Sequence, residues 1–214
     1  MIIVGAGGLA TQLVDDLVKL KTKDIVFWSE VDTKYDFIKT LYPIIKTDDE
    51  VVAHFKEVSD NFILCIGTDK TGVRKKIAER FKQLGGTISS YISPFSHVSP
   101  YGTQFGEGTI ILSQVNVEPG VVLGEACLVN KTANIGHGCI IGAHSEIGPG
   151  VIVTGEVIMG DDVFIGTGAI IHPKIRIGNN ATIAAGAVVT KHVPDHAVVA
   201  GVPAAIKYTR KNDS

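Results

Sequence analysis

The strongest constraint in this 214-residue sequence is a six-residue repeat that begins at Phe105 and continues without insertion into the block opened by Val189. Every block opens with an apolar residue, and its fifth position is always small or β-branched. A period of six matches neither the 3.6-residue period of a helix nor the two-residue alternation of a free strand. The fifteen blocks open at Phe105, Ile111, Val117, Leu123, Val129, Ile135, Ile141, Ile147, Val153, Met159, Ile165, Ile171, Ile177, Ile183 and Val189.

This period predicts a parallel β-helix, in which each block forms one short face and one corner. The opening aliphatic residue points into the interior, and the fifth residue also faces inward where room is short. Glycine follows the opening residue in eight blocks, where we expect it to relieve the corner backbone. Three blocks make a triangular coil of 18 residues, so the fifteen blocks predict about five coils. Cys127 and Cys139 occupy fifth positions, which makes them packing residues rather than nucleophiles or zinc ligands.

The first ninety residues follow a different pattern, typical of a small α/β unit. Ile2–Val4 predicts a strand, and Leu13, Leu17 and Leu20 predict the buried face of a helix behind it. Further strands are predicted over 24–28 and 62–66, and a second helix over 73–84. This order predicts a small Rossmann-like domain over residues 1–92, followed by the β-helix domain over residues 93–214.

A glycine-rich turn separates the first strand from the first helix. Gly5, Gly7 and Ala10 match the pattern G-x-G-x-x-[GA], whose backbone amides favour a phosphate or diphosphate. Glu30 or Asp32 could meet a ribose hydroxyl. Only about ninety residues precede the repeat, whereas a dinucleotide fold uses two halves, so a nucleotide-linked ligand is favoured over NAD. A tight turn that binds nothing stays open as an alternative.

Composition excludes several classes of protein. A formal net charge of -2 argues against a bulk electrostatic grip on nucleic acid or an anionic membrane. No apolar run approaches the roughly 18 residues of a membrane span, and the N-terminus lacks the pattern of a signal peptide. Three scattered cysteines are too few for a disulfide scaffold. We therefore expect a soluble, cytoplasmic protein.

Four motifs carry a resemblance to a known family: residues 3–8 (IVGAGG), 65–69 (CIGTD), 135–142 (IGHGCIIG) and 199–204 (VAGVPA). Over residues 1–207 the chain resembles the sialic-acid O-acetyltransferase and nucleotide-aminosugar N-acetyltransferase family of hexapeptide-repeat acyltransferases. The resemblance implies a left-handed β-helix and a homotrimer with acetyl-CoA bound between subunits. It also implies that the N-terminal domain holds the nucleotide of a UDP-, GDP-, dTDP- or CMP-sugar, with no metal. The implied contacts to that substrate are Gly5, Gly7, Gly8, Leu9, Glu30, Asp32, Gly67 and Thr68.

His137 is the predicted general base. It is the third residue of its block and projects away from the aliphatic stack, and it matches the family's catalytic histidine in the motif -G-H-x-C-x-I-G-. Asn130 matches an asparagine that lies near the reacting group in relatives. Many relatives have Asp or Glu directly after the histidine, where this chain has Gly138. Glu156 lies 18 residues after Gly138, and we expect it either to supply the missing charge or to be an ordinary solvated glutamate.

The resemblance also implies a set of CoA contacts. Glu146 stands where some relatives carry a second histidine that contacts the acetyl group. Ala185 and Gly186 expose backbone to the pantetheine arm, and residues 201–204 form a terminal loop like the family's CoA-contacting segment. The complete predicted set is Glu146, Gly155, Ala185, Gly186, Gly201, Pro203 and Lys207.

Together these features predict an acetyl-CoA-dependent sugar acetyltransferase that N-acetylates a nucleotide-linked 4-amino-deoxysugar. One alternative is O-acetylation of a sialic acid or another small hydroxyl acceptor. Another is a non-catalytic trimeric nucleotide-sugar binder, in which Gly138 marks lost chemistry. A β-helix carbonic anhydrase is disfavoured because His137 and His144 are seven residues apart, whereas stacked positions are 18 apart. Formyl and longer acyl donors stay open.

Overall fold

A computed structural model of the chain describes residues 1–67 and 72–210. The contacts divide the chain into two units, Met1–Ser90 and Tyr91–Ser214. The second unit begins two residues before the boundary predicted from the sequence, because Tyr91–Ile92 is a strand that pairs with Ile110–Ile111 of the repeat. In the described residues, no helix is both long enough and apolar enough to cross a membrane.

The first unit is a five-stranded parallel sheet with helices between its strands, which confirms the predicted Rossmann-like domain. The strands lie in the order β3-β2-β1-β4-β5, so the chain starts in the middle of the sheet and extends it on both sides. The elements are β1 (Ile2–Val4), α1 (Gly8–Lys19), β2 (Val26–Trp28), α2 (Asp36–Leu41), β3 (Ile44–Ile45), α3 (Asp48–Glu57), β4 (Asn61–Leu64), α4 (Val73–Gln83) and β5 (Thr87–Ile88).

The sequence analysis missed α2, β3, α3 and β5 and misplaced one residue of α1. Helix α1 ends at Lys19, so Leu20 lies at its C-cap and is half exposed, whereas Leu9, Leu13 and Leu17 are buried. Helix α3 begins at a capping box, in which Thr47 accepts a hydrogen bond from the Glu50 N–H and Glu50 accepts one from the Thr47 N–H.

The second unit is a parallel β-helix made mainly of two-residue strands, as the repeat predicts. Its strands are β6 (Tyr91–Ile92), β7 (His97–Val98), β8 (Gln104–Phe105), β9 (Ile110–Ile111), β10 (Asn116–Val117), β11 (Val122–Leu123), β12 (Leu128–Val129), β13 (Asn134–Ile135), β14 (Ile140–Ile141), β15 (Glu146–Ile147), β16 (Ile152–Val153), β17 (Ile158–Met159), β18 (Phe164–Ile165), β19 (Ile170–Ile171), β20 (Arg176–Ile177), β21 (Thr182–Ile183), β22 (Val188–Val189), β23 (Ala197–Ala200) and β24 (Ala205–Thr209).

These strands form three sheets, one for each face of the coil. Sheet I contains every third strand from β6 to β21, then β23 and the antiparallel β24; sheet II runs from β7 to β22, and sheet III from β8 to β20. We name the corners by the sheets they join. Residues 130–133 form one level of the I–II corner, 136–139 one level of the II–III corner and 142–145 one level of the III–I corner.

The register and burial confirm the repeat. Strand β13 pairs with β16 exactly one 18-residue coil later in the chain, as Ile135 lies beside Val153. Every opening residue from Ile111 onward is buried, as is every fifth-position residue, and Phe105 packs against this core. Strands β6 and β7 add most of a further coil before Phe105. The spacing in this coil is 19 residues rather than 18, because Val98 pairs with Val117. The β-helix is therefore longer than the five coils predicted from the repeat.

Glycine has a different role at the corners from the one expected. The left-handed backbone occurs at the fourth position, where φ is positive in each block from the one opened by Phe105 to the one opened by Ile183. The second-position glycines are instead required by close approach of the next coil. A Cβ on Gly124 would lie 2.5 Å from the backbone nitrogen of Ala143, which no side chain tolerates.

Candidate active site

His137 lies exposed on the II–III corner between β13 and β14. Its ring rests over Gly155 of the next coil, and a Cβ on Gly155 would lie 2.6 Å from the ring Nε2. The peptide groups of His137 are held from both sides. Its N–H donates to the Glu118 carboxylate at 2.8 Å, and its carbonyl accepts from the Glu156 N–H at 2.8 Å. The side chain therefore projects from a fixed piece of backbone.

The acidic residues around His137 differ in where their carboxylates lie. Gly138 has φ of 65°, so it occupies the left-handed corner position. The Glu156 Cγ lies 3.7 Å from where a Gly138 Cβ would be, so Glu156 stacks beside that residue. Its carboxylate, however, lies 3.8 Å from the Lys174 ammonium, and both side chains are more than half exposed. Glu156 reaches His137 through its backbone N–H.

Glu118 is the residue at this corner that the sequence analysis missed. It lies 19 residues before His137, in the preceding coil, and is partly buried. The signal available in the sequence was a glutamate one coil and one residue before the histidine.

Cys139 follows the corner and faces the core, in line with its predicted packing role. Its thiol is buried and donates to the Thr154 carbonyl at 3.1 Å. Burial raises the pKa of Cys139 above its usual range, which keeps sulfur in the unreactive thiol form. Cys127 is also buried and donates to the Gly142 carbonyl at 3.2 Å.

A second group of predicted residues lies at or beside the I–II corner. Asn130 is buried, and within the described part of the chain its Oδ1 has no hydrogen-bond partner. Glu146 is buried in strand β15 of sheet I, where Ile147 separates it from the I–II corner. Ala185 and Gly186 are exposed at the same corner three coils later, where Gly186 has φ of 67°.

The terminal loop joins this second group. The Gly201 carbonyl accepts from the Val188 N–H at 3.1 Å, and the Ala204 N–H donates to the Val188 carbonyl at 2.7 Å. These bonds place residues 201–204 against β22, directly after the corner that carries Ala185. Gly201 and Pro203 are exposed, as is Lys207 in β24.

The structure thus divides the predicted β-helix site between two consecutive corners. His137, Gly155 and Glu156 share the II–III corner, whereas Asn130, Ala185 and Gly186 share the I–II corner. The strands of sheet II separate the two groups within one chain.

The glycine-rich turn of the first unit has the backbone geometry that close packing requires. Gly5 has φ of 109°, and a Cβ there would lie 2.5 Å from the Cys65 carbonyl oxygen. Gly7 and Gly8 are exposed at the start of α1. Leu9 is buried. Gly67 follows β4, and Thr68 lies outside the described residues.

Both candidate ribose ligands are already paired with cations. Glu30 lies 2.5 Å from the Arg80 guanidinium, and Asp32 lies 2.6 Å from the Lys46 ammonium. The hydrogen bond from Lys46 lowers the pKa of Asp32. The Thr33 hydroxyl donates to the Ala6 carbonyl at 2.6 Å and so holds this acidic segment against the turn. A sugar hydroxyl would have to compete with these cations.

Two further features of the surface bear on ligands. An open depression of about 630 Å³ lies on sheet III near the last coil, and its lining includes Ile158, Arg176 and His192 but none of the predicted site residues. Among residues 1–67 and 72–210, no group of three or more His, Cys, Asp or Glu side chains is placed to hold a metal ion.

Family models and solved structures agree with this architecture. The model described as bacterial transferase hexapeptide (six repeats) matches residues 120–155 and 156–191. The model of the PglD N-terminal domain matches residues 1–81. None of the curated proteins compared with the chain matches it.

Three solved structures illustrate the similarity. PerB from Caulobacter crescentus, solved in complex with CoA and GDP-perosamine, is 26% identical with a TM-score of 0.83, over 97% of this chain and 96% of that one. The acetyltransferase domain of PglB from Neisseria gonorrhoeae FA1090, solved with acetyl coenzyme A, is 28% identical with a TM-score of 0.83, over 96% and 97%. WeeI from Acinetobacter baumannii AYE, at 23% identity, shares the fold with a TM-score of 0.81, over 96% and 98%.

The hexapeptide-repeat model and the PglD N-terminal model match successive parts of this chain, and the three solved structures share its fold over at least 96% of its length. The chain belongs to the left-handed β-helix family of hexapeptide-repeat sugar acyltransferases, in the group whose N-terminal domain is of the PglD type.

Proposed function

We propose that this protein transfers an acetyl group from acetyl-CoA to the amine of a nucleotide-linked 4-amino-deoxysugar. The observation that carries the proposal is His137, an exposed histidine whose backbone N–H and carbonyl are held on the corner of the β-helix by two hydrogen bonds. PerB, whose structure holds CoA and GDP-perosamine, supports this class of donor and acceptor.

The proposed reaction is a direct transfer. The amine nitrogen attacks the thioester carbonyl carbon, and the His137 imidazole takes the proton that the nitrogen loses. The C–S bond then breaks, and that proton passes to the departing thiolate, giving free CoA and an amide. Backbone N–H groups hold the oxyanion that forms at the carbonyl oxygen. No covalent enzyme intermediate is required, in keeping with the buried state of Cys139.

We assign the nucleotide diphosphate to the glycine-rich turn. The exposed backbone of Gly7 and Gly8 opens helix α1, and backbone N–H groups at a helix N-terminus favour phosphate. Gly5, Leu9, Gly67 and Thr68 complete the assignment as predicted substrate contacts.

We further propose that the enzyme is a homotrimer with each active site built by two subunits. The base and the predicted CoA surface lie on consecutive corners of one chain, so one small reacting centre would need the II–III corner of one subunit and the I–II corner of its neighbour. Cys65, Cys127 and Cys139 form no disulfide in the structure, and reduced cysteines are typical of the cytoplasm, so we propose a cytoplasmic enzyme.

Thiol release from acetyl-CoA tests this function against a panel of UDP-, GDP-, dTDP- and CMP-linked amino and hydroxy sugars. Wild type is expected to turn over an amino sugar, and His137→Ala to lose that activity. His144→Ala is the matched control, because His144 is a corner histidine that pairs with Glu125 at the III–I corner. Turnover of hydroxy sugars alone would support O-acetylation, and calorimetric binding without any turnover would support a non-catalytic binder.

A further inference from the structure

The residues directly before and after His137 in the sequence are glycines, although an imidazole that gains a proton during catalysis is stabilised by a nearby negative charge. The following residue, Gly138, occupies a left-handed position with φ of 65°. A carboxylate for this corner must therefore come from another coil.

Two glutamates lie near the corner, and their side chains are placed differently. Both lie close enough to the Cys139 thiol to raise its pKa, although burial is the larger cause. The Glu156 carboxylate lies by Lys174, whose charge offsets its own. The Glu118 carboxylate instead accepts the His137 N–H at 2.8 Å.

Glu118 reaches His137 because of its place in the repeat. It is the second residue of its block, and Gly136 occupies the same position one coil later. The Glu118 N–H bonds the Ile135 carbonyl at 2.9 Å, so its backbone is in register with β13. From this position the Glu118 carboxylate extends to the N–H of the next residue along the corner, His137.

We propose that Glu118, from the coil before the base, is the positioning carboxylate of this active site. It fixes the backbone from which the imidazole projects and supplies the negative charge that favours the imidazolium formed when the amine loses its proton. This inference rests on the proposed role of His137. The proton passes between amine, imidazole and thiolate as above, and Glu118 stays ionised throughout.

The decisive variant is Glu118→Gln, which keeps an oxygen acceptor for the His137 N–H and removes only the charge. We expect kcat to fall about tenfold, with the KM for both substrates and the melting temperature unchanged. Glu118→Ala removes charge and acceptor together, so kcat should fall further and the melting temperature should drop. Glu125→Gln, at the III–I corner, is the control and should match wild type.

Several results would overturn the proposal. These are wild-type kcat in Glu118→Gln, an effect on KM rather than kcat, and a loss of kcat in Glu156→Gln while Glu118→Gln stays active. The comparison of wild type with His137→Ala separately decides whether His137 is the base at all.

A second measurement does not depend on turnover. The His137 amide proton should resonate downfield in wild type because it bonds a carboxylate, and should move upfield and exchange faster in Glu118→Ala. An amide signal that is the same in both proteins would show that the hydrogen bond from the His137 N–H to the Glu118 carboxylate is not formed, and would overturn the proposal whatever the activity.

Discussion

Gly155 shows how one missing side chain creates a place for the base. The His137 ring lies where a Gly155 side chain would begin, so the ring and a Cβ at this position exclude each other. Gly155 was predicted as a CoA contact. In the structure Gly155 also contacts the imidazole of His137 from the next coil.

Gly155→Ala is therefore expected to displace the His137 ring and lower kcat by roughly 10- to 100-fold, because small misplacements of a reacting group are costly. The melting temperature should change little, since the ring is exposed and can move outward. Steady-state kinetics and thermal melting check this. Glu107→Ala, at an exposed third position of another corner, is the control, and wild-type kcat in Gly155→Ala would contradict the ring placement.

At the scale of single residues, the sequence could predict which positions face inward but not which side chains meet across coils. The fixed spacing of 18 identified Glu156 as a neighbour of Gly138. It could not show that the Glu156 carboxylate lies by Lys174, because long exposed side chains choose among several partners. Glu118 was missed because its side chain runs obliquely, to a residue 19 positions away rather than 18.

Helix α3 illustrates what individual elements take from local sequence. Its capping box joins Thr47 and Glu50, and backbone hydrogen bonds from Lys46 and Thr47 lower the pKa of Glu50. A carboxyl whose pKa is lowered in the folded state stabilises that state above the ordinary pKa of 4.5, and the contribution is lost as the pH falls through the lowered value.

Glu50→Gln should therefore melt below wild type at pH 7, and the gap should close as the pH falls below about 4.5. Thermal melting followed by circular dichroism across this range measures the gap. Asp49→Asn, at an adjacent position in the same first turn of α3, controls for a general charge effect. A gap that is constant with pH would mean that the Glu50 charge is not what stabilises α3.

The III–I corner contains a ladder of polar side chains that accept backbone N–H groups from the coil before. Asp161 accepts from Ala143 at 2.7 Å, Asn179 accepts from Asp161 at 2.9 Å, and Asp195 accepts from Asn179 at 2.7 Å. Each acceptor occupies the space above a second-position glycine. A Cβ on Gly142, for example, would overlap the Asp161 Oδ1.

Asp161→Ala should cost about 1 kcal/mol of stability, because it leaves the Ala143 N–H without its side-chain acceptor. Asp161→Asn keeps an acceptor oxygen, as Asn179 does one coil later, and should stay close to wild type. Denaturant unfolding of the two variants makes the comparison. Equal losses in both would assign the effect to charge rather than to the hydrogen bond.

An element could be predicted from the sequence when its pattern of residue types repeats over many residues. The β-helix could be predicted because every coil requires the same side-chain sizes and backbone conformations at the same positions. Strands β3 and β5 contain two residues each, which is too short for a period to show. Helix α3 carried a readable signal in Thr47 and Glu50, whereas the extra strands before Phe105 were hidden by the single additional residue in the first coil.

For the whole molecule, the placement of His137 and Asn130 on consecutive corners has the largest consequence, because it bears on how the subunits assemble. The orphaned Asn130 Oδ1 needs a hydrogen-bond donor that the described part of one chain does not supply. A site shared between subunits would bring that group and the base of a neighbour to one acceptor amine.

Subunit complementation follows from this arrangement. His137→Ala and Asn130→Ala should each be inactive alone. After the two are unfolded and refolded together, about a quarter of the sites would combine an intact histidine with an intact asparagine from different chains. Thiol release from the mixture measures the recovery. Mixing the two variants without refolding is the control, and a mixed assembly without activity would place both residues in the same chain's site.

The linear stack of coils also has a consequence for how the protein opens. Within one chain each coil pairs with the coils next to it, so we expect local unfolding to spread inward from the ends, as in a one-dimensional chain of coupled units. His137 lies in the interior of the stack, whereas residues 201–204 lie at its C-terminal end. We therefore expect residues 201–204 to open and close more often than the coil that carries His137, so that a ligand can enter or leave at the end of the stack while the histidine stays in place.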